Sequence, residues 1–308
     1  MKRALPALGL ALLFLLALGA GAFFADPIGL VEEAGTLRLR SAGALSTTVP
    51  GPGGIRLHAW ELGPRSADVP VVLLHGLGAA SHYWAETAID LARSGRTVIV
   101  PDAPGSGRSE PPRAESGWGV PGRVDAVSTL LDTLRVKRVD LVGHSLGGWT
   151  AGAFALEEPW RVRRLVLVDA AGFARIDPAA QEELRSGLSP GNRDGARKLY
   201  DLLFYRKPLP AFGFLLEGLG RQYRQENVVA TLAALGERQA LLARAGELPA
   251  GTVFIHGSED AICPLPATRE AFARVLGARL FVIRGTGHDA PLEAPHLFRE
   301  TLRKALAE

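Results

Sequence analysis

The chain has 308 residues, 47% hydrophobic and 22% charged, with a formal net charge of +3; that balance implies a folded core of domain size and excludes disorder along its whole length. Its lysines and arginines are scattered rather than gathered into a stripe, which argues against a nucleic-acid-binding surface. Cys263 is the only cysteine, so an intramolecular disulfide and a cysteine-rich metal site are excluded.

After Lys2 and Arg3, the run from Ala4 to Phe24 holds no charged residue and is rich in leucine and alanine. It is long enough for a helix to cross a bilayer core of roughly 30 Å and longer than the roughly 7 to 15 residues of a signal core. Residues 1–25 therefore read as an uncleaved anchor, with cleavage at Ala20-Gly21-Ala22 and secretion as the alternative. The basic residues before the run, and Asp26, Glu32 and Glu33 after it, favour an inside amino terminus and a domain outside the cytoplasm; Arg38 and Arg40 count the other way. Residues 26–54 read as a linker, because Ser41 to Gly54 carries Pro50, Pro52 and several glycines.

From Ile55 the pattern becomes regular. Ile55 to Glu61 alternates as a half-buried strand does, and Val69 to Leu74 is a continuous apolar run suited to a strand buried on both faces. A helical pattern from Tyr83 to Arg93 precedes a strand at Thr97 to Val100, the turn-rich loop Asp102 to Ser109, a helix from Gly122 to Leu134 and a strand at Val139 to Val142. Helix Leu146 to Glu158 and strand Leu165 to Val168 follow. This alternation over 55–171 implies a mostly parallel sheet with helices on both faces. Residues 172–246 break the rhythm with helical segments and a rise in aromatics, and read as an inserted helical cap. Alternation resumes over 247–308 with strand Thr252 to His256, helix Ala267 to Leu276, strand Arg279 to Ile283 and helix Pro295 to Leu306.

The chemistry centres on Gly143-His144-Ser145-Leu146-Gly147, a G-x-S-x-G sequence that puts a serine on a tight turn between strand and helix. A serine hydroxyl is a weak nucleophile at neutral pH and needs an imidazole to take its proton and a carboxylate to orient that imidazole. Functional groups on an open parallel sheet gather at the carboxyl ends of its strands. His288, in the loop after the strand ending at Ile283, is the best base, and Asp260, after the strand ending at His256, the best acid. The chain order serine, aspartate, histidine is that of α/β-hydrolases.

The sequence resembles the α/β-hydrolase fold serine hydrolases. His75-Gly76-Leu77-Gly78 is similar to the family's oxyanion loop, Asp102 to Ser109 to its D-x-P-G-x-G-x-S loop, and Gly143 to Gly147 to its elbow; His256 to Asp260 and Gly287-His288 to Pro295 complete the series. The resemblance implies Ser145 as nucleophile, His288 as base, Asp260 as acid, and the backbone N–H groups of Leu77 and Leu146 as the oxyanion hole. His75 to Trp84, Ala170 to Phe173 and the amino-terminal span are similar to monoacylglycerol-lipase-like members. The expected activity is hydrolysis of a carboxylic ester with an apolar acyl or alcohol portion, a small-molecule ester or lipid, without cofactor or metal. Amide, thioester or carbon–carbon hydrolysis and cofactor-free haloperoxidase chemistry use similar triads, and a ligand-binding protein on the same fold is the non-enzymatic alternative.

Other residues have structural readings. Asp169 ends a strand and is a second choice for the acid. His144 reads as packing or pocket wall, His75 as a brace for the oxyanion loop, and Asp102 and Arg108 as loop-fixing. Trp84 and Trp149 read as packing near the pocket floor and nucleophile helix. Glu293 reads as a helix-start residue favoured by the dipole. His58, His82, His256 and His296 lack metal-ligand spacing with one another or with a carboxylate cluster.

Overall fold

The computed structural model describes residues 21, 24–64, 69–174, 178–236 and 240–307. The anchor expected over residues 4–24 lies outside these apart from Gly21 and Phe24. Among the described residues no helix is long and apolar enough to cross a membrane.

The segment expected to be a linker is instead ordered. Helix α1 spans Pro27–Ser41, with Pro27 in its first turn and the Asp26 side chain accepting from the Gly29 N–H at 3.1 Å; both are ordinary helix-start devices. Strand β1, Leu45–Pro50, pairs antiparallel with β2, Arg56–Leu62. The prolines and glycines that suggested a linker belong to the turn between them, where Gly53 and Gly54 take φ of 66° and 77°. Pro50 sits at the end of an edge strand, where its missing N–H breaks no ladder.

The apolar runs form strands whose every residue is buried: β3 Val71–Leu74, β4 Val98–Pro101 and β5 Val139–His144. With β6 Val162–Val168, β7 Val253–Gly257 and β8 Arg279–Ile283 they complete an eight-stranded sheet in the order β1-β2-β4-β3-β5-β6-β7-β8. It is parallel from β4 to β8, and β2 joins it antiparallel to β4. Helices α2 (Ala85–Arg93), α3 (Val120–Thr133) and α4 (Leu146–Glu157) connect the first strands. Residues from α3 and α4 fill the core on one face, and residues from α1, α2 and the last helix fill the other. Every residue of α4 from Leu146 to Ala155 is buried, as expected of a helix apolar all round.

Between β6 and β7 lie α5 (Pro178–Gly187), α6 (Arg193–Leu203), α7 (Gly213–Tyr223) and α8 (Glu226–Ala234), and no strand among the described residues. These helices hold a separate apolar cluster, including Leu199, Leu216, Tyr223 and Leu232. Helix α9 (Leu265–Phe272), the single turn α10 (Ala290–Glu293) and α11 (Pro295–Ala307) finish the chain.

Candidate active site

The site is built at the carboxyl ends of β5, β7 and β8. Ser145 follows β5 directly and has φ 55° and ψ −119°, a conformation costing about 1–3 kcal/mol for a residue with a side chain. Its backbone is held there: the N–H donates to Val168 O at 3.0 Å, and its carbonyl accepts from Trp149 N at 3.0 Å and Ala171 N at 3.1 Å. The glycines of the motif are a steric necessity. A Cβ at Gly143 would collide with the Gly147 carbonyl, and one at Gly147 with the Leu74 carbonyl.

The structure brings the three expected side chains together. Ser145 Oγ lies 2.8 Å from His288 Nε2, and His288 Nδ1 lies 2.9 Å from Asp260 Oδ2. In the neutral ring, Nδ1 carries the proton donated to Asp260 and Nε2 accepts from the serine hydroxyl. Asp260 Oδ1 is fixed by the N–H groups of Ile262 and Cys263, both at 2.8 Å. All three residues are buried. Burial alone lowers an imidazole's pKa, but the Asp260 carboxylate outweighs it and holds His288 well above the ordinary histidine value. Burial would likewise raise Asp260, and the neighbouring His288 overcomes this and holds it low.

The loop after β3 passes against the serine: a Cβ at Gly76 would sit 3.1 Å from Ser145 Cβ. His75 Nδ1–H donates to Gly76 O at 2.9 Å, and Nε2 accepts from the Ala103 N–H at 3.0 Å. Burial pushes the His75 pKa down to about 4, which keeps the ring neutral and able to accept. Because a peptide is planar with C=O and N–H opposed, fixing Gly76 O also fixes the opposite direction of the Leu77 N–H. Neither the Leu77 nor the Leu146 N–H donates to an acceptor among the described residues. The expected bracing role of His75 is what the structure shows.

Asp102 is loop-fixing as expected: it accepts from Ser81 N at 2.7 Å, His58 Nδ1 at 2.8 Å and Arg108 N at 3.1 Å. Asp169 is not brought to the base. Its Oδ1 accepts from Gly257 N at 2.7 Å, tying the end of β6 to β7, while Oδ2 has no hydrogen-bond partner. Burial, with the nearby Asp260 charge, raises its carboxyl well above the usual range, which favours its neutral form. Trp149 lines the cavity beside the serine; Trp84 lies behind it, packed on Tyr83, His144 and Phe298.

Two residues given passive readings do more. His144 stacks on Tyr83 with ring centroids 5.0 Å apart and donates from Nε2 to His288 O at 2.9 Å. Burial lowers its pKa to about 3; it holds the backbone of the base and takes no proton. Glu293 accepts from Gly287 N at 2.8 Å and Arg206 N at 2.6 Å, clamping the His288 loop to the segment after α6. A carboxylate spaced a few residues after a Gly-His pair is the signal for the first of these contacts.

The reading of His256 as lacking a carboxylate neighbourhood fails. Folding brings its Nδ1 within 3.8 Å of Asp169 and its Nε2 within 3.6 Å of Asp260, pairs that chain spacing cannot reveal for Asp169. Donor atoms of Asp169, His256 and Asp260, and of Asp260, Cys263 and His288, lie within 4.8 Å of one another. The histidine ring is already engaged on both sides: His256 Nε2 donates to Cys263 O at 2.7 Å, and Thr268 Oγ1 lies 3.2 Å from its Nδ1. Burial pushes the Cys263 thiol up to about 11, so it is no second nucleophile at neutral pH.

A cavity of about 690 Å³ opens from Ser145 and His288 between the sheet edge, α1 and the helices that follow β6, within the range of roughly 300–1,000 Å³ for small-molecule sites. Its lining is mainly apolar, including Leu146, Trp149, Phe173, Leu203, Leu219 and Leu232.

A serine at a strained strand-to-helix turn, an imidazole in contact with it and a buried carboxylate behind that imidazole, on a mostly parallel sheet, define a triad hydrolase. The chain belongs to the alpha/beta hydrolase fold family, whose model matches residues 69–295, and is a hydrolase. It is 32% identical over 273 residues to a 2-hydroxymuconate semialdehyde hydrolase of Pseudomonas sp. (strain CF600), covering 83% of this chain and 92% of that protein. Among solved structures it is similar to a membrane phospholipase A described as a bacterial virulence factor (25% identity, TM-score 0.73, 99% of this chain and 98% of that one). It is also similar to a meta-cleavage product hydrolase from Pseudomonas fluorescens IP01 (26% identity, TM-score 0.71, 84% and 97%).

Proposed function

We propose that the protein is a serine esterase of lipase-like character acting on esters with an apolar acyl or alcohol portion, monoacylglycerols among them. The observation that carries this is the contact of Ser145 Oγ with His288 Nε2 at the end of a large, mainly apolar cavity. Ser145 Oγ attacks the ester carbonyl carbon as its proton passes to His288 Nε2. Asp260 balances the imidazolium, and the Leu77 and Leu146 N–H groups meet the charge on the carbonyl oxygen. His288 then returns the proton to the departing alcohol, leaving an acyl group on Ser145. A water that gives its proton to His288 releases the acid and restores the serine.

A second reading has its own support. A relative is by its name a hydrolase of 2-hydroxymuconate semialdehyde, a compound with a carboxylate, and among the described residues Arg185 at the cavity has only a carbonyl partner, Leu235 O at 2.6 Å, leaving a cation for a substrate carboxylate. The two readings separate on one panel: p-nitrophenyl esters of increasing acyl length and monoacylglycerols against a 2-hydroxy-6-oxo-dienoate. Ester turnover that rises with acyl length and is kept in Arg185→Leu supports the first. Turnover of the dienoate alone, lost by about 10- to 100-fold in Arg185→Leu as a charged hydrogen bond disappears, supports the second.

We also infer that residues 4–24 anchor the protein with its domain outside the cytoplasm. The charge asymmetry around the run supports this, as do exposed apolar residues on the helix next to it: Val31 is 65% and Leu37 62% accessible. The full chain is expected in the membrane fraction, released by detergent and not by high salt; recovery in the soluble fraction would contradict the anchor.

A further inference from the structure

The loop that presents the Leu77 N–H has little rigidity of its own, because Leu77 stands between Gly76 and Gly78, and Gly78 takes φ of 69°. From the core side it is fixed by His75 through Gly76 O. From the opposite side it is met by α7. Gln222 Nε2 donates to Gly78 O at 2.6 Å, and the Tyr223 hydroxyl makes a long contact of 3.4 Å to Leu77 O. The Tyr223 ring lies so close that a Cβ on Gly78 would sit 3.1 Å from it. The same Gln222 Nε2 donates to Glu32 Oε1 of α1 at 3.1 Å.

We propose that Gln222 is a positioning residue for the oxyanion loop, and that Glu32 sets its amide, so that the amino-terminal helix, α7 and the Leu77 N–H form one hydrogen-bonded unit. This rests on the reading of Ser145 as nucleophile and Leu77 as an oxyanion donor. One amide group supplies two N–H donors, and here they go to two acceptors on different elements. With both engaged, the amide cannot rotate without losing a partner, and the Gly78 carbonyl is held in one direction. Release of that carbonyl frees the Gly78–Ala79 peptide and leaves the Leu77 N–H held from the core side alone, through His75 and Gly76 O, so that the N–H strays from the position where charge develops. Ground-state binding in the apolar cavity does not depend on that direction. The loss therefore falls on kcat rather than on KM.

The test uses the full chain and a p-nitrophenyl ester. Gln222→Met keeps the side chain's length and removes its donors; kcat is expected to fall about tenfold, short of the roughly 10²–10³ for deleting a hole donor outright. KM is expected to stay within about twofold, and phosphonylation by a fluorophosphonate, which needs the same N–H groups, to slow by a similar factor. Gln222→Lys, which restores a donor to Gly78 O beside Glu32, is expected to recover most of the rate. Gln222→Glu, an acceptor facing two acceptors, should not. Unchanged kcat in Gln222→Met, a loss confined to KM, or lysine no better than methionine overturns the proposal. If the methionine variant does not fold, the lysine and glutamate variants decide by their difference, equal rates refuting it. A folded wild type that no fluorophosphonate labels overturns the nucleophile reading and this proposal together; a labelled wild type with a Gln222→Met rate equal to it overturns this proposal alone.

Discussion

Ser145→Ala is expected to lower kcat about 10⁶-fold, the scale seen when a triad nucleophile is removed, and to abolish fluorophosphonate labelling while leaving the fold intact. Alanine keeps the Cβ and loses only the oxygen that meets His288 Nε2 at 2.8 Å. The backbone gives the same site a second signature. Ser145 has φ 55°, held by bonds to Val168, Trp149 and Ala171, and such conformations cost about 1–3 kcal/mol for residues with a side chain. Glycine escapes that strain at an entropic cost of about 0.5–1 kcal/mol. Ser145→Gly is therefore expected to be inactive yet more stable than Ser145→Ala by about 1 kcal/mol. Denaturant unfolding of the two inactive variants measures the difference. Equal midpoints would show that the strain does not exceed glycine's entropic cost of about 0.5–1 kcal/mol, and labelling that persists in Ser145→Ala would place the nucleophile elsewhere.

What was legible in the sequence is what local sterics and burial dictate. Gly143 and Gly147 are glycines because a carbonyl stands where each Cβ would be, so the motif announces the turn without the rest of the fold. The strands buried on both faces show as continuous apolar runs for the same reason. Chain order then linked Asp260 and His288 to Ser145, because each follows a strand and a parallel sheet gathers those ends at one edge. The readings that failed turn on partners distant in the chain. Pro50 to Gly54 looks like loop because it is a turn, and only its pairing of Val49 with Leu57 makes the flanks into strands. Glu293 reaches back to Arg206, His256 to Asp169, and Gln222 to both Gly78 and Glu32. No spacing rule encodes those contacts: those of Glu293 and Gln222 depend on how inserted helices settle on the sheet edge, and that of His256 on which strands become neighbours.

The choice between Asp260 and Asp169 as the acid leads to the second large effect. Asp260→Asn is expected to cost about 10⁴ in kcat, since an amide opposite Nδ1 no longer fixes the tautomer that leaves Nε2 free to accept. It also moves the pH profile in a defined direction. His288 works as a neutral base, so activity disappears as pH falls through its pKa. In the wild type that pKa is raised by Asp260 against the lowering effect of burial, which places the acid limb of kcat/KM above the ordinary histidine value of about 6.5. Without the carboxylate the strongest raising influence is gone and burial is opposed by Cys263 alone among the groups that raise this pKa, so the limb of the residual activity is expected to move to lower pH. Asp169→Asn makes the contrast. Burial and Asp260 raise that carboxyl well above the usual range, favouring the uncharged form that an amide mimics, and an amide oxygen still accepts from Gly257 N, so kcat is expected within about threefold of wild type with the limb unmoved. A large loss in Asp169→Asn, with the limb displaced, would exchange the roles of the two aspartates; a limb that stays in place in Asp260→Asn would show that Asp260 does not set the charge of the base.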